Sequence, residues 1–464
     1  MAEETNYGSN SQQYKISKAD VTADRFSLGK VIDIANIIVE VNLFEDIDKP
    51  YITGSLVLVD DSAILDTINF SGTETILIEM QGVDDTKTLT LQRKFIITSA
   101  IKSVRNNDRT EVFVLSLIDV AGYNTHSKRI SKSYSGKIED IIQGIIVSEL
   151  GVSVDRSYAA PSIQAPVKVI VPYLHPLQAC VWLRDKMTRS NGSPYFVYAS
   201  IHDENIRIGD FDTMMSQVPF NSLLPYHYSS STTNAAERAG VDKSGNKEVD
   251  RAFTINTVTK TNMENTLAMI KRGAVGSTYS NTDISGGLTK QSQHKIEVAL
   301  EQLKVSDVIK SYQQQNVYDT ATLIDLGPKG KELASEHSSR QFHEISSSNT
   351  YATANSLGED FNEAGISNKA MAECIHSMLY KNAIDIEIPG TAFMVRAKVS
   401  VGDVVNISFL NGNVGLNPES GQDIIDKNRS GDYLILATRH MFKDTTHTVS
   451  VNISKIARGS LSDG

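Results

Sequence analysis

Residues 431–459, "GDYLILATRHMFKDTTHTVSVNISKIARG", read as one long β-hairpin. Tyr433 and Ile435 share a face, a polar turn occupies 443–447, and Val449 and Val451 resume the alternation. That period of two marks half-buried strands. Residues 93–122, "RKFIITSAIKSVRNNDRTEVFVLSLIDVAG", repeat the plan. Phe95 and Ile97 share a face, a polar turn follows at 105–110, and Val112 and Val114 come next. The spacing from Phe95 to Val112 is 17 residues and from Tyr433 to Val449 it is 16, and both stretches close on an alanine and a glycine. Any two hairpins share such a pattern, so the order of the remaining elements has to support the repeat. A third stretch, residues 395–409, has Val395, Ala397, Val399 and Val401 on one strand face. Val405, Ile407 and Phe409 lie on the next strand, with Gly402 and Asp403 as the turn.

The 464 residues leave room for three or four domains, and 40% are hydrophobic. A net charge of −10 opposes non-specific nucleic-acid binding, which needs clustered Lys and Arg. Two cysteines, Cys180 and Cys374, make no disulfide framework and suit a reducing compartment. The N-terminus "MAEETNYGSNSQQYK" has neither the basic nor the apolar segment of a signal peptide. No apolar run approaches the roughly 18 residues of a membrane span, so a soluble protein is expected.

Along the chain, residues 1–23 read as a flexible arm. Strands are expected at 37–43, 52–59, 75–81, 89–104 and 109–120, with a short helix at 61–70. This is an antiparallel sandwich or barrel over 24–122. The texture then changes. Ile138, Ile141, Ile142, Ile145, Ile146 and Leu150 recur at helical spacing, with Ser135 as N-cap and Gly151 as terminator. A second helix over 175–187 has Pro176 in its first turn, with Leu177, Cys180, Val181, Trp182 and Met187 as core. A hairpin with "DEN" at its turn follows, making 123–218 a small α/β module. Beyond it the sequence is polar. A strand is expected over 251–262, a helix over 294–312, a loop over 343–368 and a helix over 369–381.

The order barrel, α/β module, polar middle, second barrel resembles the central baseplate hub of contractile-tailed phages of the T-even type. The same fold forms the base of type VI secretion spikes. The resemblance is carried by "VEVNLFEDIDKPYITGSLVLVDD", "PLQACVWLRDKM…PYFVYASIHDENIRIGDFDTM" and "VGDVV…GDYLILATRHMF…HTVSVNISKIA". It implies a mainly β chain with α+β insertions and two similar antiparallel β-barrels of tail-tube type. The second barrel would start at 219–262, be interrupted by a polar insertion at 263–370 and finish at 371–464. It further implies a homotrimer whose six quasi-equivalent barrels adapt a threefold central spike to the sixfold tail tube. The implied partners are the spike, the tube protein and neighbouring baseplate proteins, in a virion assembled in the host cytoplasm. DNA would pass through an acidic lumen without specific binding, and no membrane would be involved. The acidic loop 44–50, with Phe44, Glu45, Asp46 and Pro50, and the loop 411–430, with Asn411, Asn413 and Asn417, are the expected contacts to other subunits or the spike.

No catalytic, cofactor-binding or metal-binding set emerges. "GPKGKE" (327–332) fails as a phosphate loop, because Asp325 and Glu332 stand where Gly and Ser or Thr are needed. His337 and His343 have no metal-ligand spacing. His440 and His447 fall on the two arms of the closing hairpin, where their positions allow a cross-strand contact but a metal site would need more ligands. No G-x-S-x-G elbow is present. A non-enzymatic structural role is therefore expected. The alternatives are a cell-wall-degrading tail enzyme, which would need two carboxylates across a groove, and a tube or terminator subunit, for which one barrel would suffice.

Overall fold

The computed structural model describes residues 14–26, 30–61, 68, 70–82, 90–107, 110–162, 166–189, 192–222, 224–228, 253–259, 276–283, 288–295, 321–322, 340–346, 368–369, 372–373, 375–377, 379–380, 383–390, 398–409, 430–455 and 458–459. The first part supplies strands β1 (Tyr14–Thr22), β2 (Ile32–Asp33), β3 (Ile38–Asp46), β4 (Thr53–Asp60), β5 (Thr75–Gly82), β6 (Thr90–Asn107) and β7 (Thr110–Asp119). They form an antiparallel run in the order β3-β4-β7-β6-β5-β1-β2. Strict alternation drives it: Leu56 and Leu58 of β4 and Ile76, Ile78 and Met80 of β5 are buried while their neighbours are not. Ala19 and Val21 of β1 share one buried cluster with Val41 and Leu43 of β3, near the opposite end of the run. The half-sheet therefore curls around its core, although no ladder closes it among the described residues. Residues 14–22, assigned to the arm from sequence, are a strand paired with β5, and Ala19 and Val21 are buried in the same core as Ile76 and Ile78.

The α/β module holds α1 (Val120–His126), β8 (Ser133–Gly136), α2 (Ile138–Ile145), β9 (Val154–Tyr158), β10 (Val167–Ile170), α3 (Pro176–Arg184), β11 (Tyr195–Ala199), β12 (Ile206–Asp210) and α4 (Phe211–Met215). The isoleucine face of α2 is buried as its spacing predicts, and Gly151 ends the following π turn in the left-handed region (φ 70°). Ser135 is not the N-cap. It lies in β8, and Lys137 precedes α2 without a side-chain cap. Gly122 in α1 is required, because a Cβ there would come within 2.9 Å of Ile118 and Tyr51 side-chain atoms.

The hairpin β11–β12 sits where three cores meet. Tyr195 and Val197 point into the module core, and Phe196 and Tyr198 into that of the C-terminal half. Ala199 and Ile201 join the core of the first half. A strand buried on both faces reads as a continuous apolar run, which "YFVYA" is.

The C-terminal half comprises β13 (Tyr226–Tyr228), β14 (Thr257–Thr259), β19 (Ile384–Pro389), β20 (Val404–Phe409), β21 (Gly431–Lys443) and β22 (Thr446–Ser454). Between β14 and β19 lie β15 (Gly276–Asp283), β16 (Leu288–Lys295), β17 (Ala321–Thr322) and β18 (Arg340–Ser346), and β23 (Arg458–Gly459) ends the described chain. β16, β15 and β18 make a separate three-stranded sheet, and β17 pairs with β23. His294 and Lys295 are thus in a strand rather than a helix, and 343–346 are in β18 rather than a loop. Residues 296–312 and 347–367 lie outside the described residues, as do 62–67 of the expected short helix and Val395 and Ala397. All described residues from 368 to 380 are helical.

The strand order of this half is β14-β19-β22-β21-β20-β13. In chain order, β14, β19, β20, β21 and β22 occupy the places of β3, β4, β5, β6 and β7. One bulge coincides as well, although β6 has a second register shift between Ser103 and Asn107 that β21 lacks. β6 slips register between Ile97 and Ser99, and β21 slips between Ile435 and Ala437, the equivalent positions when Phe95 is set on Tyr433. One difference is the last strand: β1 runs antiparallel to β5, whereas β13 runs parallel to β20. β21 also pairs with β3, from Ala437↔Asp46 to Lys443↔Glu40, which fuses the halves into one 13-stranded sheet.

Candidate interface at the seam of the two halves

The acidic stretch 42–50 leaves β3 and turns inward. Val41, Leu43 and Glu45 share the buried face of β3, and Phe44 points out, 38% exposed. The loop then crosses into the second core, where Ile47 is fully buried and its N–H donates to Leu436 O at 2.8 Å. Asp46 shapes the turn by accepting Asp48 N–H at 3.0 Å. Pro50 is buried.

Glu45 ties three segments together. Its Oε1 accepts Ile201 N–H at 2.7 Å and the Ser400 hydroxyl at 2.6 Å. Its Oε2 accepts the Thr438 hydroxyl at 2.5 Å and lies 3.5 Å from His440 Nε2, an ion-pair distance. Burial pushes this carboxyl up, but His440 beside it, His202 and Ser400 outweigh that and bring it down to about 2. His440 Nδ1 and His447 Nε2 lie 3.2 Å apart, with the rings stacked across the hairpin. Burial first, then His440 and His202, press His447 well below its ordinary range, so its ring is neutral. The cross-strand histidine contact that the hairpin allows is present, inside a sealed knot.

Asp48 makes a second tie. Its Oδ1 accepts Arg184 Nη1–H of α3 at 2.9 Å. Its Oδ2 takes His376 Nε2 at 3.1 Å and the Tyr380 hydroxyl, both from the helical stretch 368–380. Burial opposes ionisation here, yet His376 and Arg184 hold the carboxyl well below the usual carboxylate range.

The turn before β20 completes the seam. Gly402 has φ 88°, and a Cβ there would sit 2.5 Å from Tyr198 Oη. Asp403 Oδ2 accepts Ser400 N–H at 2.8 Å, and burial raises its carboxyl to about 6. A carboxylate sealed like Glu45 is kept from any substrate, and the chemistry of this cluster is cohesion.

No family model matches the chain, and no curated protein matches it in sequence. In fold it aligns with the tail protein from Neisseria meningitidis MC58, at TM-score 0.52 and 11% identity, over 96% of this chain and 97% of that one. The fold is similar to that of a tail protein. The expected resemblance to phage tail hubs thus holds at the level of fold. The 43 kDa tail protein of prophage MuSo2 from Shewanella oneidensis aligns at TM-score 0.49 and 9% identity, over 94% and 98% of the two chains. A component of the Escherichia coli type VI secretion system, with structural similarity to T4 bacteriophage tail proteins, aligns at TM-score 0.39 and 8% identity, over 97% and 78%.

On this tail-protein fold, the residues expected at outward contacts divide. Phe44 is at the surface with Arg439 over its ring at 5.8 Å, and Asp46 is part-exposed beside Lys49. Glu45 and Pro50 are spent within the chain. Asn411, Asn413 and Asn417 lie outside the described residues. The inward role of Glu45 had a signal in the sequence, its parity with Val41 and Leu43. Asp48 had none, since its partners are 136 to 332 residues away. Among the described residues no cluster of three metal-ligating side chains occurs.

Proposed function

We propose that this chain is a non-enzymatic structural hub of a phage tail baseplate or a related contractile machine. Three copies present six quasi-equivalent curled half-sheets, which adapt a threefold central spike to a sixfold tail tube. The observation that carries this reading is the internal repeat: two half-sheets with one strand order and one bulge position, joined edge to edge. The partners are the spike, the tube protein and neighbouring baseplate proteins. The net charge of −10 suits a lumen that passes DNA without holding its phosphates. Phe44 and Asp46, with Asn411, Asn413 and Asn417, are the proposed outward contacts. The limits 1–23, 24–122, 123–218, 219–262, 263–370 and 371–464 remain the proposed domain frame, β1 excepted from the arm. The site of action is the virion baseplate, after assembly in the host cytoplasm. Light scattering over a range of concentrations tests the reading. A mass about three times 50.9 kDa is expected, and a monomer at every concentration contradicts it.

A further inference from the structure

The small α/β module carries charge of the sign opposite to the whole chain. Residues 120–138 hold Lys128, Arg129, Lys132 and Lys137 and no Asp or Glu. Residues 156–184 hold Arg156, Lys168 and Arg184 and again no Asp or Glu, in a chain of net charge −10. The fold brings the two stretches together. β8 and β10 pair from Ser133↔Ile170 to Gly136↔Val167, and the ribbon runs on through the Ile130↔Leu174 bridge. Lys128, Arg129, Lys132, Lys137 and Lys168 are all exposed along it.

Elsewhere arginines meet carboxylates: Arg93 faces Asp119, Arg184 faces Asp48 and Arg207 faces Asp203. None of the five ribbon cations forms an ion pair among the described residues. Arg129 lies over the Tyr173 ring at 5.3 Å and Lys132 over that of Tyr134 at 5.6 Å, contacts that leave their charge unneutralised. Lys128 Nζ donates to the backbone oxygen of Glu149 at 2.6 Å. Burial first, then Glu149, raises the Tyr134 hydroxyl, so one carboxylate borders the surface and offsets one of its five charges. Set among these cations are two strongly exposed apolar side chains, Ile170 at 70% and Tyr173 at 63%. The ribbon slips by one residue between them and Leu174, because Ser133 faces Ile170 while Ile130 faces Leu174. Tyr173 takes φ 53° in that bulge. A bulge re-aims a side chain, and left-handed backbone is costly for a tyrosine, so the outward ring is a built feature.

We propose that the β8–β10 ribbon docks an acidic segment of another protein, in which apolar residues alternate with carboxylates. Lys128, Arg129, Lys132 and Lys168 pair with the carboxylates, and Ile170 and Tyr173 cover the apolar side chains. Charge complementarity selects this occupant. A phosphate polymer answers the cations but leaves Ile170 and Tyr173 in water. An anionic bilayer repels a chain of net charge −10 and gains two apolar side chains as its anchor. An acidic segment with interleaved apolar residues satisfies both halves of the surface. That the partner is a neighbouring baseplate protein rests on the hub reading above; the chemistry of the surface does not.

The test is fluorescence anisotropy on the full chain at low salt. The probe is a labelled peptide of repeating glutamate, leucine, aspartate and serine. A polyglutamate peptide of equal charge, a short DNA duplex and phosphatidylserine–phosphatidylcholine vesicles are the comparison probes. The mixed acidic peptide is expected to bind most tightly. Lys132→Glu with Lys168→Glu is expected to weaken it about 10-fold. Tyr173→Ala keeps the charge and is expected to weaken it about 5-fold, to the level of polyglutamate. Lys132→Gln with Lys168→Gln, with an expected loss of about 3-fold, serves if charge reversal disturbs folding. Absence of binding, binding that none of these variants weakens, or equal binding of DNA or vesicles overturns the proposal. Light scattering on the same samples separates the two readings. Peptide binding by a chain that is monomeric at every concentration upholds the surface and contradicts the hub. A trimer that does not bind the peptide overturns the surface alone.

Discussion

Glu45 shows how one side chain can carry a joint. Its carboxylate accepts from Ile201, Ser400 and Thr438 and faces His440, so it links the module hairpin, the turn before β20 and β21. Its depressed carboxyl contributes stability that is present above about 4.5 and lost as pH falls toward about 2. Asp403 acts with the opposite sign. Its folded carboxyl is raised to about 6, so the folded state holds a proton that the unfolded state has released. Stability from this group therefore falls as pH rises from about 4 to about 6. Asp403→Asn keeps an acceptor for Ser400 N–H and removes the titration. We expect the variant to lose a slope worth up to about 3 kcal/mol across that window. Urea unfolding of wild type and variant at pH 4 and pH 7 checks this. A steeper pH dependence in the variant would sink the assignment. At this scale, parity made the burial of Glu45 legible. The partners of Asp48 were not, because long-range contacts leave no local pattern.

The closing hairpin was the most legible element, and its turn holds a residual strain. β21 and β22 meet through a two-residue loop, Lys443↔Thr446, in which Asp444 (φ 49°) and Thr445 (φ 66°) both lie in the left-handed region. A type I′ turn requires this and favours Asn-Gly. A β-branched threonine there costs about 1–2 kcal/mol. Thr445→Gly is expected to stabilise the chain by about 1 kcal/mol after the entropic cost of glycine. The bond from Tyr14 N–H to Thr445 O is a backbone bond and survives the change. Chemical denaturation measures the effect, and a lower midpoint with an unchanged slope would contradict it. Other elements were illegible for physical reasons. β15 ("GSTYSNTD") and β16 ("LTKQSQHK") are polar on both faces, so no apolar alternation announces them. β1 offers only Ala19 and Val21 as fully buried contacts, too little to stand out from a polar terminus.

At the level of the whole molecule, the repeated hairpin announced two similar halves, and the strand order and bulge position bear that out. The sequence did not announce that the halves share one sheet. The β3–β21 ladder joins residues nearly four hundred apart, and each strand alone reads as an ordinary amphipathic strand. Nor did it show that β11–β12 would serve three cores at once. Quasi-equivalence of the halves is the central claim, because the proposed conversion of threefold to sixfold order follows from it. End-on class averages of the purified protein in the electron microscope test it most directly. The account predicts a closed ring of six similar lobes built from three chains. An open arc, or a particle with a single chain and two unequal lobes, would contradict it.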